Sequence, residues 1–152
     1  MTLDPDGALA WVRTAAAVVA ERRAHLVDLD REIGVGIHGE PGRERVPLEP
    51  ADRIVDRLLG PVLDDLGAAS GEDVLLFVNG MGGTPLSELY IVYRRAAEVL
   101  AGHGLRVTRS LVGSYVTSLE MQGVSITVTR LDEASTALWD APVETAALRW
   151  GR

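Results

Sequence analysis

The feature that most constrains the fold is a run of five apolar residues at positions 74–78, V-L-L-F-V. An apolar run of this length without polar alternation is typical of a strand that is buried on both faces. A turn sequence at 70–73 precedes the run, and a glycine-rich loop at 79–85 follows it. A strand of this kind needs other elements to cover it, so the flanking segments are predicted to form the rest of a layered domain.

Four segments have the residue pattern of helices. In the second of them, Ile54, Leu58 and Val62 recur at helical spacing, and Gly67 is placed to end the helix. Thr84 is placed to cap the third helix through its side chain, and the residues at helical spacing on the apolar face of that helix include Leu86, Leu89 and Tyr90. The four predicted helices cover residues 7–29, 50–66, 85–101 and 132–139.

Three further segments have strand character. They cover residues 33–38, 105–112 and 124–129, and the first leads to a polar turn at 42–45. The last two strands are too close in sequence for a crossover helix, which favours a mixed sheet. We therefore predict an α/β fold: a two-layer, mixed β-sheet packed against helices, preceded by an N-terminal α-helix and followed by an irregular tail that contains tryptophan.

Composition excludes several classes of function. The net charge of −7 argues against nucleic acid or an anionic membrane as a partner, because no basic patch stands out. The absence of cysteine excludes disulfides, thiolate metal sites and cysteine nucleophiles. The N-terminus has no signal-peptide pattern, and no apolar run approaches membrane-spanning length. The expected location is the cytoplasm.

The first candidate site is the glycine-rich segment at 34–42, G-V-G-I-H-G-E-P-G. Alternate glycines in an apolar strand indicate that something approaches the backbone closely. His38 is presented beside Gly39 near a turn, so its imidazole is predicted to be accessible. Histidine is readily both neutral and cationic near neutral pH, which suits it to chemistry. The alternative is that His38 is a structural residue.

The loop at 79–85 is a second candidate. A glycine-rich connection between a strand and a helix is able to hold an anion on its backbone N–H groups. However, the loop lacks the lysine of a P-loop and does not match the dinucleotide-binding pattern. A tight structural turn is the alternative interpretation.

Four motifs in series give a more specific prediction. They are G-V-G-I-H-G-E-P-G at 34–42, V-N-G-M-G-G-T-P-L-S-E-L-Y at 78–90, G-S-Y-V-T-S-L-E-M at 113–121 and A-L-W-D-A-P at 137–142. Together they resemble the second domain of the dihydroxyacetone-binding part of dihydroxyacetone kinases, also called glycerone kinases, which act in glycerol metabolism. The resemblance covers residues 33–152.

The resemblance implies a role for His38. In that family the histidine of this motif attacks the ketone carbon of dihydroxyacetone and holds it as a hemiaminal for phosphorylation. His38 is therefore expected to be catalytic, and Gly36 and Gly39 to contact the substrate with it. A histidine of ordinary pKa, about 6.5, is mostly neutral in the cytoplasm and keeps a nucleophilic ring nitrogen. The resemblance also implies a homodimer.

Two departures from the family pattern limit this expectation. The preceding domain, with its G-G-G-S-G-H-E-P loop and an aspartate, has no counterpart in the sequence. The residues before position 34 instead resemble the opening of the nucleotide-binding subunit, through Trp11 and L-V-D-L-D-R-E-I-G at 26–34. Of three aspartates that would chelate Mg²⁺ there, only Asp30 remains, and one carboxylate is insufficient. We predict a helical segment at 1–32 and a substrate-subunit-like domain at 33–152.

These observations leave several functions open. The first is a truncated dihydroxyacetone kinase component that anchors dihydroxyacetone, or a similar short ketone or aldehyde, on His38. No cofactor or metal is then expected in this chain, and the phosphoryl donor, ATP or ADP with Mg²⁺ or a phosphotransferase system, belongs to a partner such as a nucleotide-binding kinase subunit. The second is a non-catalytic module that binds a small carbonyl compound or a protein. The third is an inactive remnant, so whether the chain is an enzyme stays open.

Overall fold

The computed structural model describes residues 33–35, 44–146 and 148–151. These residues fall into two compact units, which divide between Leu48 and Glu49. The helix predicted at 7–29 lies outside the described residues. In the part of the chain that the structure describes, no helix is both long and apolar enough to cross a membrane.

The first unit contains a pair of short antiparallel strands, β1 (Ile33–Val35) and β2 (Glu44–Val46). Their register places Ile33 opposite Val46 and Val35 opposite Glu44. The prediction of a polar turn at 42–45 is therefore wrong at its last two positions, which belong to β2. The cross-strand pairing with β1 outweighs the polar character of the segment, and both polar residues, Glu44 and Arg45, keep exposed side chains while Val46 is buried.

The second unit is built on a three-stranded mixed sheet, as predicted. The central strand is β3 (Asp73–Gly80), which pairs in parallel with β4 (Arg106–Gly113) and antiparallel with β5 (Val124–Leu131). The apolar run at 74–78 thus forms the middle of the sheet. The prediction that this strand is buried is confirmed, since most of β3 has little solvent exposure.

Three helices accompany the sheet: α1 (Ala51–Leu66), α2 (Leu86–Gly102) and α3 (Glu133–Asp140). Helix α1 ends at Gly67, whose φ of 56° is in the left-handed region. Helix α2 connects β3 to β4, the crossover that a parallel pair requires. The predicted side-chain cap of Thr84 is wrong, because α2 has Pro85 at its N-cap and no side-chain cap there.

The core lies between one face of the sheet and helices α1 and α2. On β3, Val74, Leu76 and Val78 are fully buried. The helices contribute a complementary set, also buried or nearly so: Val55, Leu59, Leu89, Val92, Ala96 and Leu100. Helix α1 is therefore a packing helix, as its spacing predicted.

Two residues that were predicted on the apolar face of α2 lie outside the core. Leu86 is 55% exposed and Tyr90 is 54% exposed. The buried face follows Leu89, Val92 and Ala96 at helical spacing, so Leu86 and Tyr90 fall on its flank. Apolar residues at the start of α2 are therefore partly in solvent.

The C-terminal segment is more ordered than the predicted irregular tail. Two short antiparallel strands, β6 (Val143–Glu144) and β7 (Arg149–Trp150), follow α3. The rings of Trp139 and Trp150 are 5.1 Å apart between centroids, which joins β7 to α3. The two tryptophans therefore pack against each other within the chain.

Candidate functional site

The strands on either side of the histidine segment pair with each other. Gly36, His38 and Gly39 lie outside the described residues, so their predicted roles stay predictions. The strands on either side are described, and Val35 lies opposite Glu44 in their antiparallel pairing. Val35 is 4% exposed, so this end is anchored by a buried side chain.

The two other loops that carry the resemblance come together at the carboxyl ends of β3 and β4. Asn79, the penultimate residue of β3, is 2% exposed and organises the contact. Its side-chain oxygen accepts hydrogen bonds from the backbone N–H groups of Tyr115 and Val116, both at 2.9 Å. Its amide nitrogen donates to the carbonyl oxygen of Val116 at 2.7 Å. Every polar atom of this buried side chain is therefore satisfied.

A second set of hydrogen bonds joins the same two loops at later positions in each loop. The hydroxyl of Thr84 donates to the carbonyl oxygen of Gly123 and accepts from the N–H of Gly123, both at 2.9 Å. The hydroxyl of Ser118 donates to the carbonyl oxygen of Met81 at 2.9 Å. We call the two segments, residues 79–85 and 113–123, the braced loops. Thr84 thus binds the opposite loop instead of capping α2.

The glycine-rich loop does not match the anion cradle considered from the sequence. The N–H of Met81 donates to the carbonyl oxygen of Gly123 at 3.1 Å, and the N–H of Gly83 donates to that of Met121 at 2.9 Å. These two N–H groups are therefore occupied within the protein. The structure favours the alternative interpretation, a structural turn.

Gly82 and Gly83 are required at their positions because the backbone of the other loop lies too close for a larger residue. Gly82 has a φ of 105°, and a Cβ on it would overlap the carbonyl oxygen of Ser118. A Cβ on Gly83 would lie 2.5 Å from the carbonyl oxygen of Glu120. The two backbones approach too closely for side chains at these positions, which explains the M-G-G sequence physically.

In the second braced loop, some side chains pack within the protein and others are exposed to solvent. Tyr115 packs against Phe77, with ring centroids 6.0 Å apart. Leu119 does not pack, since it is 98% exposed, and Val116 is 53% exposed. The braced loops therefore expose apolar side chains to solvent, while hydrogen bonds from Asn79 and Ser118 hold their backbone in place.

An ion pair outside the braced loops, between Arg109 and Asp140, was not predicted from the sequence. Arg109 makes two hydrogen bonds to the carboxylate of Asp140, both at 2.6 Å. Hydrogen bonding to Arg109 lowers the pKa of Asp140 below its ordinary value. This pair joins elements distant in sequence, and no local pattern would have revealed it. Among the described residues, no group of three or more His, Asp or Glu side chains could hold a metal ion.

Comparisons with known proteins agree with the four motifs. The family model described as Dak1 domain matches residues 8–147. The dihydroxyacetone-binding subunit of a PTS-dependent dihydroxyacetone kinase 2 from Listeria innocua is 44% identical over 116 residues, which cover 76% of this chain and 35% of the relative. The dihydroxyacetone-binding subunit of the PEP-dependent dihydroxyacetone kinase from Escherichia coli is 40% identical over 151 residues, covering 84% of this chain and 42% of the relative. The chain thus spans about two fifths or less of these relatives.

Solved structures agree with the fold. A structure described under regulation of the dha operon of Lactococcus lactis has a TM-score of 0.67 and 31% identity, covering 80% of this chain and 39% of that one. A second, described as a dihydroxyacetone kinase operon co-activator, has a TM-score of 0.63 and 31% identity over 72% of this chain and 34% of its own. Proteins similar to this chain therefore include both kinase subunits and proteins connected with regulation.

Proposed function

The chain belongs to the Dak1 domain family, and from this premise we propose that it is a substrate-binding component of a dihydroxyacetone kinase. In this proposal His38 holds dihydroxyacetone covalently, with Gly36 and Gly39 contacting it, while a separate chain supplies the phosphoryl group. The observation that carries the proposal is the complete I-H-G-E-P-G sequence at 37–42, inside the region that the family model matches.

The chemistry that we propose needs only a neutral imidazole and a carbonyl. The unprotonated ring nitrogen of His38 attacks the ketone carbon, and the carbonyl π pair moves to oxygen. That oxygen gains a proton and the other ring nitrogen loses one, so the hemiaminal forms without loss of water. Glycerol has no carbonyl carbon to attack, so the same step discriminates against it.

The phosphoryl donor is proposed to lie on a partner chain. A magnesium–nucleotide complex requires several oxygen ligands, and Asp30 alone does not supply them. Two relatives are named as dihydroxyacetone-binding subunits of kinases that depend on a phosphotransferase system or on PEP. These names support a donor of that kind, and a nucleotide-binding subunit is the alternative donor in this proposal. A homodimer in the cytoplasm completes the proposal.

Native mass spectrometry with dihydroxyacetone tests the covalent anchor. We expect a saturable mass increase equal to one intact ketone, lost in His38→Ala and absent with glycerol. His103→Ala is the matched control, since His103 lies at the end of α2 with its ring nitrogen 2.9 Å from the carbonyl oxygen of Val99. No adduct on the folded wild-type protein at millimolar ketone would overturn the proposal.

A second candidate function is a non-catalytic module that binds a small carbonyl compound or a regulatory protein. The likeness to an operon co-activator of known structure favours it. The two functions differ in turnover: a kinase component should support phosphorylation of dihydroxyacetone when donor subunits of a related kinase are added. Adduct formation without any turnover would select the binding module, and the absence of both would indicate an inactive protein.

The origin of the N-terminal segment is a separate proposal. We propose that residues 1–32 form a helical segment distinct from the domain at 33–152, and that residues 7–34 derive from the nucleotide-binding subunit. The sequence L-V-D-L-D-R-E-I-G at 26–34 supports this origin. The Dak1 match, which begins at residue 8, supports an origin within the substrate-binding family instead. Separate intact genes for both subunits beside this gene would favour the first origin, and their absence the second.

A further inference from the structure

The amino end of β3 borders a cavity of about 430 Å³ that is separate from the braced loops. Most of the residues that line it are charged: Glu72, Asp73, Arg106, Arg130 and Asp132. We call it the amino-end cavity. The braced loops lie at the opposite end of β3, and the length of the strand separates the two regions by about 20 Å. None of the four motifs contributes a residue to the cavity, so the proposed function does not use it.

Two arginines reach the amino-end cavity from the strands on either side of β3. Arg106 begins β4 and lies opposite Asp73 in the parallel pairing. Arg130, near the end of β5, lies opposite Val74 in the antiparallel pairing. The backbone N–H of Arg106 also donates to the carbonyl oxygen of Glu72 at 2.9 Å, which fixes the chain at the rim. The sheet therefore brings together two cations that are distant in sequence.

Each of these two arginines makes one ion pair within the described part of the chain. The Nε of Arg106 contacts Asp73 at 2.7 Å, and an Nη of Arg130 contacts Glu72 at 2.6 Å. In Arg109, by comparison, both the Nε and an Nη contact one carboxylate. Most guanidinium N–H donors of Arg106 and Arg130 therefore have no partner among the described residues. The two side chains are 66% and 53% exposed, so a ligand is able to reach them.

The unused donors in the cavity favour a ligand that is rich in acceptor oxygens. A phosphate group has several such oxygens, and guanidinium groups match it in both charge and geometry. The cavity wall also contains the carboxylates of Asp73 and Asp132, and hydrogen bonding from Ser135 lowers the pKa of Asp132. Carboxylates repel a bare anion but accept hydrogen bonds from hydroxyl groups. A phosphate that carries hydroxyl groups beside it therefore fits the cavity better than phosphate alone.

From these observations we propose that the amino-end cavity binds a small organic phosphate that carries hydroxyl groups. Arg106 and Arg130 hold the phosphate, and the carboxylates of Asp73 and Asp132 accept hydrogen bonds from the hydroxyl groups. Exposed ion pairs exchange their contacts at little cost, so the existing pairs do not prevent the two arginines from binding the ligand. The product of the proposed kinase reaction belongs to this chemical class, but the site does not depend on the ketone chemistry of His38.

Isothermal titration calorimetry with glycerol 3-phosphate tests the proposal, because this probe has no carbonyl group for His38 to attack. We expect saturable binding to the wild-type chain, weaker binding of inorganic phosphate and no binding of glycerol. Arg106→Gln and Arg130→Gln should each raise the dissociation constant about tenfold or more. Arg149→Gln is the matched control, because Arg149 also makes an ion pair, with Glu144 at 2.8 Å, but does not line the cavity. Circular dichroism checks that the variants remain folded.

Arg130→Lys separates recognition by the guanidinium group from attraction by charge alone. The variant keeps the positive charge but loses the paired donors, so we expect it to weaken binding nearly as much as Arg130→Gln does. No saturable binding to the folded wild-type chain, or an equal loss in Arg149→Gln, would overturn the site. Equal affinities for inorganic phosphate and glycerol 3-phosphate would overturn the proposed class of ligand. Arg106→Gln should still form the dihydroxyacetone adduct if the proposal for His38 holds, so the two proposals fail independently.

Discussion

The braced loops and the C-terminal segment both fasten non-helical chain to the same sheet, but they use different interactions. The braced loops depend on Asn79, which is 2% exposed and fully hydrogen-bonded. The C-terminal segment depends on the ring contact between Trp139 and Trp150 and on the ion pair of Arg109 with Asp140. The side chains of that ion pair are 34% and 47% exposed.

The two regions differ in the free energy that it costs to disturb their interactions. A buried polar side chain that loses one partner leaves others unsatisfied, so the arrangement around Asn79 is costly to disturb. An exposed ion pair exchanges its contacts with water at little cost. We therefore expect substitutions in the braced loops to affect stability more than equivalent substitutions in the C-terminal segment.

The largest effect is expected for Gly82→Ala. A Cβ at this position meets the carbonyl oxygen of Ser118, and a φ of 105° is unfavourable for alanine. We expect the free energy of unfolding to fall by about 3 kcal/mol, as measured by urea denaturation. Gly60→Ala is the control: nothing lies within 4 Å of its Cβ position inside α1, so this change should stabilise the protein by up to about 1 kcal/mol. Equal effects at the two glycines would contradict the close approach of the loops.

Asn79→Ala is expected to have the next largest effect. The substitution leaves two backbone N–H groups and one carbonyl oxygen without their partner, which should lower the free energy of unfolding by about 2–3 kcal/mol. Ser125→Ala is the comparison, because Ser125 shares only a long contact of 3.4 Å with Asn79. Chemical denaturation of both variants would measure the difference. If they were equally stable, Asn79 would not be the residue that holds the braced loops.

Trp150→Ala should have a smaller and more local effect. The variant loses the contact with Trp139 and the hydrogen bond to the carbonyl oxygen of Ala141. We expect a loss of about 1–2 kcal/mol, with faster amide exchange in α3 and β7 and little change in β3. Hydrogen exchange measured by mass spectrometry resolves these regions. Exchange that rises equally in β3 would show that the C-terminal segment is integral to the core.

The smallest effect is expected for Asp140→Asn, and it should depend on pH. Hydrogen bonding to Arg109 lowers the pKa of Asp140, so the native state binds this proton less readily than the unfolded chain does. The contribution of the pair is complete above the pKa of the unfolded carboxyl group and is lost as pH falls through the lowered value. The melting temperature of the variant should therefore be slightly below that of the wild type at neutral pH and equal to it in acid.

The control for this pH dependence is Asp64→Asn, a change to an exposed carboxylate on α1. It removes one carboxylate charge without touching the hydrogen bonds between Arg109 and Asp140, so it controls for the change in net charge. High salt should also reduce the effect of Asp140→Asn, since exposed ion pairs are screened. A difference that persisted unchanged in acid and in high salt would mean that Asp140 acts through packing and not through its charge.

Much of the second unit was predictable because its signals are local. The apolar run at 74–78 predicted β3, and the spacing of Ile54, Leu58 and Val62 predicted helix α1, whose buried residues are the adjacent Val55 and Leu59. Gly67 ends α1 as predicted, because only glycine readily adopts its positive φ. The strands at 106–113 and 124–131 were predicted within one or two residues of their observed ends.

The wrong predictions concern residues whose surroundings are set by distant parts of the chain. Thr84 looked like a helix cap from its neighbours, yet its hydroxyl pairs with Gly123, thirty-nine positions away. Leu86 and Tyr90 matched a helical stripe, but the buried face of α2 lies to one side of them. Helical spacing gives the period of a stripe, whereas the packing of α2 against the sheet selects which flank is covered.

The sequence by itself determined the order of elements from α1 to α3, the mixed sheet, and the four motifs that led to the family. These are properties of local periodicity, of backbone restrictions at glycine and proline, and of residue identity. Only the tertiary structure decided three features. The glycines of M-G-G allow two backbones to approach closely, Asn79 joins the braced loops through hydrogen bonds, and Leu119 remains exposed to solvent. These features depend on contacts between residues that are far apart in the sequence. Local sequence patterns do not predict such contacts.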